Sequence, residues 1–74
     1  MNLSELKKGE KGIITGYKNY NFPIKLLELG VLPGIKFEIL FISIFNDPLC
    51  IKYDQFCLAL RKKEAENILV ERIK

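Results

Sequence analysis

The chain has 74 residues, 12 basic and 9 acidic side chains, no histidine, and a formal net charge of +3. That length allows one domain, with a core near the lower limit for independent folding, and the charge alone is too weak to argue for nucleic acid. The missing histidine removes the commonest general base and the commonest metal ligand, and neither a nucleophile–base pair nor a phosphate-binding glycine loop is visible, so neither catalysis nor a cofactor is expected. No apolar run is long enough to cross a bilayer and the polar N-terminus is not a secretory leader, so the expected location is the cytoplasm.

Residues 3–6 read as a short turn that Ser4 can cap. A turn-rich connector over 8–12 leads into a first strand over 12–18, β-branched and aromatic, in which Gly16 marks a bend or bulge. Asn19, Tyr20 and Asn21 form a predicted loop. Asn21 or Phe22 then caps a helix whose first turn tolerates Pro23. Leu26, Leu27 and Leu29 supply its apolar face, Gly30 sits where the helix end wants positive φ, and Pro33 follows where the helix cannot continue. Gly34 releases the chain into an extended run. A helix this short does not hold together in water, so it must dock on a sheet.

The next strand is predicted over 35–44. Ile35, Phe37 and Ile39 face one way, Lys36 and Glu38 the other, and beyond Leu40 both faces are apolar. That end is buried on both sides, curled at a barrel corner, or covered by a partner. Asn46, Asp47 and Pro48 signal a turn. Two runs follow, 49–53 and 56–60, joined by Asp54 and Gln55. As a hairpin they set Tyr53 opposite Phe56, Ile51 opposite Leu58 and Leu49 opposite Leu60, with all six on one face. Cys50 and Cys57 are then diagonal neighbours on the other face, with Cβ atoms up to about 7 Å apart. A disulfide needs about 4 Å, so both cysteines are expected to be unpaired. A charged helical turn over 61–67 precedes a last strand over 68–73. Five short strands with tight turns and one helical connection make a small closed or half-closed barrel.

Few side-chain groupings point to chemistry. Glu64 and Glu66, two apart on a helix, do not face each other and read as solvated surface. Arg61, Lys62 and Lys63 are a basic run, either solvated or set against phosphate or an acidic partner. Tyr17, Tyr20, Phe22 and Phe45 fall near predicted loops and suit a core, an interface or an aromatic-lined groove of the kind that takes proline-rich peptides. Ile42, Ile44 and Phe45 precede a turn and suit core or interface.

Four segments at consistent spacing carry a resemblance: Leu3-Ser4-Glu5-Leu6 with Gly9-Glu10, residues 26–34 (Leu-Leu-Glu-Leu-Gly-Val-Leu-Pro-Gly), Asp47-Pro48-Leu49, and residues 58–70 (Leu-Ala-Leu-Arg-Lys-Lys-Glu-Ala-Glu-Asn-Ile-Leu-Val). Over nearly the whole chain the sequence resembles the FeoA family, the ferrous iron transport protein A. The resemblance implies a mainly β fold: an SH3-like five-stranded barrel in one domain over 1–74, with one short helix after the first strand and a helical turn before the last. It also implies a cytosolic accessory protein of Fe(II) uptake that binds the cytoplasmic GTP-binding part of the FeoB transporter, and is membrane-associated only through it. Three departures stand out. Asn46 replaces a turn glycine but tolerates positive φ. Lys25 replaces an arginine, keeping charge but losing the bidentate fork. The segment 41–45 is more apolar than usual, which suggests an apolar docking patch or a weak homo-oligomer through Ile42, Ile44 and Phe45.

The partner contacts expected on this reading are Lys25 and Glu28 on the helix; Ile44, Phe45, Asn46, Asp47 and Pro48 at the turn; and Arg61, Lys62 and Lys63. No catalytic or metal-binding residue is assigned. The alternative is a stand-alone metal-sensing module like the C-terminal domain of iron- and manganese-dependent repressors, though the helix-turn-helix and dimerisation parts are missing. Nucleic-acid binding is not expected, because aromatic and basic residues do not interleave.

Overall fold

The computed structural model describes residues 1–18 and 24–73. A 3-10 turn at Leu3–Glu5 is followed by β1 (Lys11–Tyr17), α1 (Ile24–Glu28), β2 (Lys36–Ile42), a second 3-10 turn at Ile44–Asn46, β3 (Leu49–Tyr53), β4 (Phe56–Leu60), α2 (Lys62–Glu66) and β5 (Ile68–Ile73). The strands form one antiparallel sheet in the order β4-β3-β2-β1-β5. The mainly β class, the helix after the first strand and the helical turn before the last are as the sequence predicts. The predicted loop over 19–21, the cap at Asn21 or Phe22, Pro23 and Tyr20 lie outside the described residues.

The β3–β4 hairpin has the predicted register, from Tyr53 opposite Phe56 to Leu49 opposite Leu60. Leu49, Ile51, Tyr53 and Leu60 are buried and Leu58 is partly so, but Phe56 is 60% exposed. It lies beside the turn, where no strand covers it, so the six-residue core face is really five. A bulge between Ile14 and Gly16 shifts the β1–β5 register, as Gly16 suggests. A second bulge, between Ile39 and Phe41, shifts β2 against β3. Bulges bend and twist a strand, which coils this small sheet around its core.

Three expectations are corrected. The first concerns the apolar face of α1: only Leu26 is buried, while Leu27 and Leu29 are exposed. A helix of five residues directs one position at the sheet, and the second anchor is Val31, beyond the turn at Gly30. The second concerns the first turn, which is capped by Asn2 and not Ser4. The Asn2 carboxamide oxygen accepts the Ser4 N–H at 3.0 Å, and the Glu5 carboxylate accepts the Asn2 N–H at 2.6 Å. The third concerns β2, which ends at Ile42 rather than running to Ile44, because the chain turns into the 3-10 segment there.

Gly12 sits where β1 lies against Phe37 and β5. A Cβ at this position would lie 2.7 Å from Phe37 Cζ and 2.8 Å from the Glu71 carbonyl oxygen. The ring can shift, but the backbone oxygen cannot. Gly12→Ala is expected to destabilise the fold by about 1–3 kcal/mol. Gly16→Ala, with nothing within 4 Å of its Cβ, should stay within about 0.5 kcal/mol of the parent. Thermal denaturation followed by circular dichroism distinguishes the two.

Candidate functional site

The sheet register sorts the predicted contact residues into two groups. Ile13 pairs with Lys36 and Glu38 with Lys52, so α1, which joins β1 to β2, shares one end of the sheet with the β3–β4 turn. Ile42 pairs with Leu49, and Leu49 with Leu60, so the 3-10 turn at Ile44–Asn46 and the start of α2 lie at the other end. Lys25 and Glu28 are thus not brought together with the remaining candidates.

At the first end, Lys25 and Glu28 are exposed on α1, and Ile24 and Leu27, one turn apart, are exposed beside them. The helix end is held from below. Gly30 turns the chain at φ 83°, and the Val31 N–H returns to the Leu26 carbonyl at 2.9 Å. The Tyr53 hydroxyl donates to the Leu29 carbonyl at 2.7 Å, and the Tyr17 hydroxyl donates to the Val31 carbonyl. Tyr17, left open between core and groove by sequence, is therefore half-buried and engaged. Burial pushes both phenols above the ordinary tyrosine value, and for Tyr53 the neighbouring Asp54 charge adds to it.

At the second end, Ile44 is 80% and Phe45 88% exposed. Phe45 has φ 66° and ψ 17°, a left-handed conformation that bulky residues rarely adopt. Asn46 lies within the 3-10 turn, and the half-buried Pro48 closes the loop by accepting the Ser43 N–H at 3.0 Å. Asp47 ties this turn to the basic run. Its Oδ1 accepts the Lys62 backbone N–H at 3.2 Å and lies 3.8 Å from the Arg61 guanidinium. The Glu64 carboxylate accepts the Arg61 N–H at 3.0 Å, so the start of α2 is pinned from two sides. Both members of the Arg61–Asp47 pair are well exposed, so its energy is small. Its effect is positional: it holds an exposed apolar tip next to exposed Lys62 and Lys63. Sequence reading misses this link because the partners are 15 residues apart and carry no pattern. Of the residues proposed for self-association, Ile44 and Phe45 are exposed while Ile42 packs at the margin of the core.

The cysteines are both free, Cys50 buried and Cys57 exposed. Burial raises the Cys50 thiol above its ordinary value, and nearby Cys57 reinforces this. Among the described residues no group of three or more cysteine, aspartate or glutamate side chains could hold a metal ion.

Two expectations follow from these geometries. Phe45→Gly relieves the left-handed backbone and deletes a ring that packs on little, so stability should rise by about 1 kcal/mol, measured by denaturant titration. Cys50, Tyr17 and Tyr53 all have raised folded-state pKa values, so the folded chain keeps protons that the unfolded chain loses. Their contribution is complete at neutral pH. It declines as pH rises through the ordinary thiol and phenol range, about 8.5 to 10, and beyond. Tyr53→Phe should cost about 1 kcal/mol at neutral pH and make the alkaline decline shallower in melts from pH 7 upward.

Comparison with known proteins agrees with this architecture. The FeoA domain family matches residues 1–72. The solution structure of the FeoA protein from Chlorobium tepidum superposes with a TM-score of 0.89 at 31% identity, covering 100% of this chain and 71% of that one. A FeoA-like protein from Clostridium acetobutylicum gives a TM-score of 0.89 at 27% identity, covering 100% of this chain and 87% of that one. The zinc complex of FeoA from Stenotrophomonas maltophilia, described as a procaryotic SH3 domain protein, gives a TM-score of 0.81 at 24% identity over 96% of this chain and 89% of that one, and so bears on the fold. No helix among the described residues is long and apolar enough to cross a membrane. With an SH3-like five-stranded sheet and a family match spanning residues 1–72, the chain belongs to the FeoA family of small accessory iron-transport proteins.

Proposed function

We propose that this chain is an accessory protein of Fe(II) uptake that acts by docking on the cytoplasmic GTP-binding part of a FeoB-type transporter. It works by binding rather than by catalysis, and it meets the membrane only through that partner. Family membership supports the iron-transport context, and the Stenotrophomonas maltophilia protein is itself described as a proposed activating factor of ferrous iron transport. The observation that carries the docking reading is the end built by Asp47: exposed Ile44 and Phe45 held beside Arg61, Lys62 and Lys63. Interfaces commonly combine an apolar anchor with a charged rim. Lys25 and Glu28, at the other end of the sheet, form a second, separate contact. The metal-sensing alternative draws no support from the placement of side chains, since no donor cluster forms among the described residues.

A docked barrel changes the transporter's behaviour only if it binds its nucleotide states with different affinity. A tenfold preference corresponds to about 1.4 kcal/mol of coupling. The test is capture of detergent-solubilised FeoB on the tagged protein with a GTP analogue, with GDP and without nucleotide. Capture that depends on nucleotide identifies a regulator that reads the GTP switch, and equal capture in all states identifies a constitutive subunit. No capture in any state refutes the docking. Phe45→Ser combined with Lys62→Glu should weaken capture at least tenfold, and Lys25→Glu should weaken it less.

A further inference from the structure

The two edges of the sheet are treated differently. β5 is protected: the Val70 N–H donates to the Met1 carbonyl at 2.9 Å, Asn2 bridges to Leu69, and Glu71 and Arg72 put charge on the strand. β4 has none of these devices. Its sequence, Phe56-Cys57-Leu58-Ala59-Leu60, has no charge, no proline and no glycine, and the β3–β4 ladder runs without a bulge. Natural proteins normally blunt such an edge.

The register defines which backbone groups it offers. Tyr53 and Phe56 flank a two-residue turn and form a hydrogen-bonded pair, so Ile51–Leu58 and Leu49–Leu60 are the other hydrogen-bonded pairs. The N–H and C=O groups of Cys57 and Ala59 therefore point away from β3. No hydrogen bond among the described residues uses them, and both residues are exposed.

We infer that the β4 edge pairs with the β4 edge of a second copy, antiparallel and two-fold symmetric about Leu58. In this register Cys57 faces Ala59 of the second copy and Ala59 faces its Cys57. Both are hydrogen-bonded pairs, so every free group on both edges finds a partner. The ladder joins two five-stranded sheets into one of ten. Leu58, partly buried in each copy, meets its own symmetry mate, and exposed Phe56 lies on the same face beside it, so apolar side chains line one face of the junction. Antiparallel pairing also brings the turn carrying Asp54 of each copy to the strand end from which Arg61 and Lys62 of the other follow, so opposite charges share each end of the ladder. A parallel pairing, or one shifted by one residue, leaves this match incomplete. The strand is short and the area small, so the dimer exchanges rapidly and forms at high concentration. This inference does not rest on the transporter reading, although Arg61 and Lys62 border both surfaces.

The test is sedimentation equilibrium of the whole chain under reducing conditions from about 10 μM to 1 mM, the range suited to interfaces at the small end, with amide exchange measured at both extremes. The expected result is a mass rising from 8.6 kDa towards twice that value. The Cys57 and Ala59 amides should exchange more slowly at high concentration, while other exposed amides are unchanged. Ala59→Pro removes an outward donor without touching the β3 ladder and should hold the chain at monomer mass. Should that variant not fold, Cys57→Lys places a charge on the edge and should weaken association by at least tenfold. Phe45→Ser should leave association intact. A chain monomeric throughout the range overturns the proposal. So does association that Phe45→Ser abolishes and the β4 variants leave unchanged, which would place the contact at the apolar tip.

Discussion

Two phenol hydroxyls, from Tyr17 on β1 and Tyr53 on β3, hold the carbonyls on either side of Gly30. The rest of this end of the molecule depends on that arrangement. α1 is one and a half turns long and has no stability of its own. Its own carbonyls at Lys25, Leu26 and Leu27 accept the N–H groups of Leu29, Val31 and Gly30, while the Leu29 and Val31 carbonyls just beyond it are met by the two hydroxyls, and a buried carbonyl left without a partner would cost about 1–3 kcal/mol. Tyrosine suits the task because its ring buries apolar area while its hydroxyl reaches a backbone acceptor. β2 lies between the two donor strands, so the pair fastens the crossover across three strands and closes the core beneath it.

How much of this was legible in the sequence depends on the length of each signal. The β3–β4 hairpin was readable because two alternating runs flank a two-residue turn, and pairing across that turn puts their apolar residues on the same face, which a one-residue slip would undo. The family motifs made the SH3-like topology readable, and the glycines at 30 and 34 adopt the positive φ that a helix end and a turn require. The helix face was over-read: three leucines at helical spacing suggest a stripe, but five helical residues bury one. β2 was over-read for the opposite reason. Both faces of 40–45 are apolar, and nothing in that composition marks a stop. The stop is made by the 3-10 turn that begins at Ile44, and Phe45, left-handed inside it, is a residue type that gives no warning of it. The tie from Asp47 to Arg61 and Lys62 was out of reach, because it joins a turn to a helix start that only the folded sheet brings together.

The conformation of Phe45 is itself informative. A bulky residue in the left-handed region costs on the order of 1–3 kcal/mol, against a total stability of about 5–15 kcal/mol for a typical domain. The surroundings enforce it: Ser43 bonds Pro48, and Asp47 is anchored to the start of α2. The outcome is a ring at 88% exposure on a loop whose backbone is fixed at both sides. A loop that is strained, rigid and apolar at its tip loses little conformational freedom on meeting a partner, which is the property that turns modest contact area into affinity.

The ends of the sheet and its open edge are not independent surfaces. β4 runs from the α1 end to the end carrying the 3-10 turn, and Arg61 and Lys62 follow directly from its last residue. In the symmetric pairing inferred for β4, those two residues share an end of the ladder with Asp54 of the second copy, while in the docking proposed for the transporter they face the partner. The same cations cannot serve both at full strength. Asp47 holds the Lys62 backbone and lies beside Arg61, so the backbone from which both cations project is fixed, and the competition between the two contacts is decided by concentration. A dilute monomer presents the apolar tip with its basic flank free, whereas self-paired copies engage that flank and leave the α1 end open. The protection of β5 by the N-terminal residues fits this arrangement, since it leaves β4 as the one edge through which copies can join without extending into a filament.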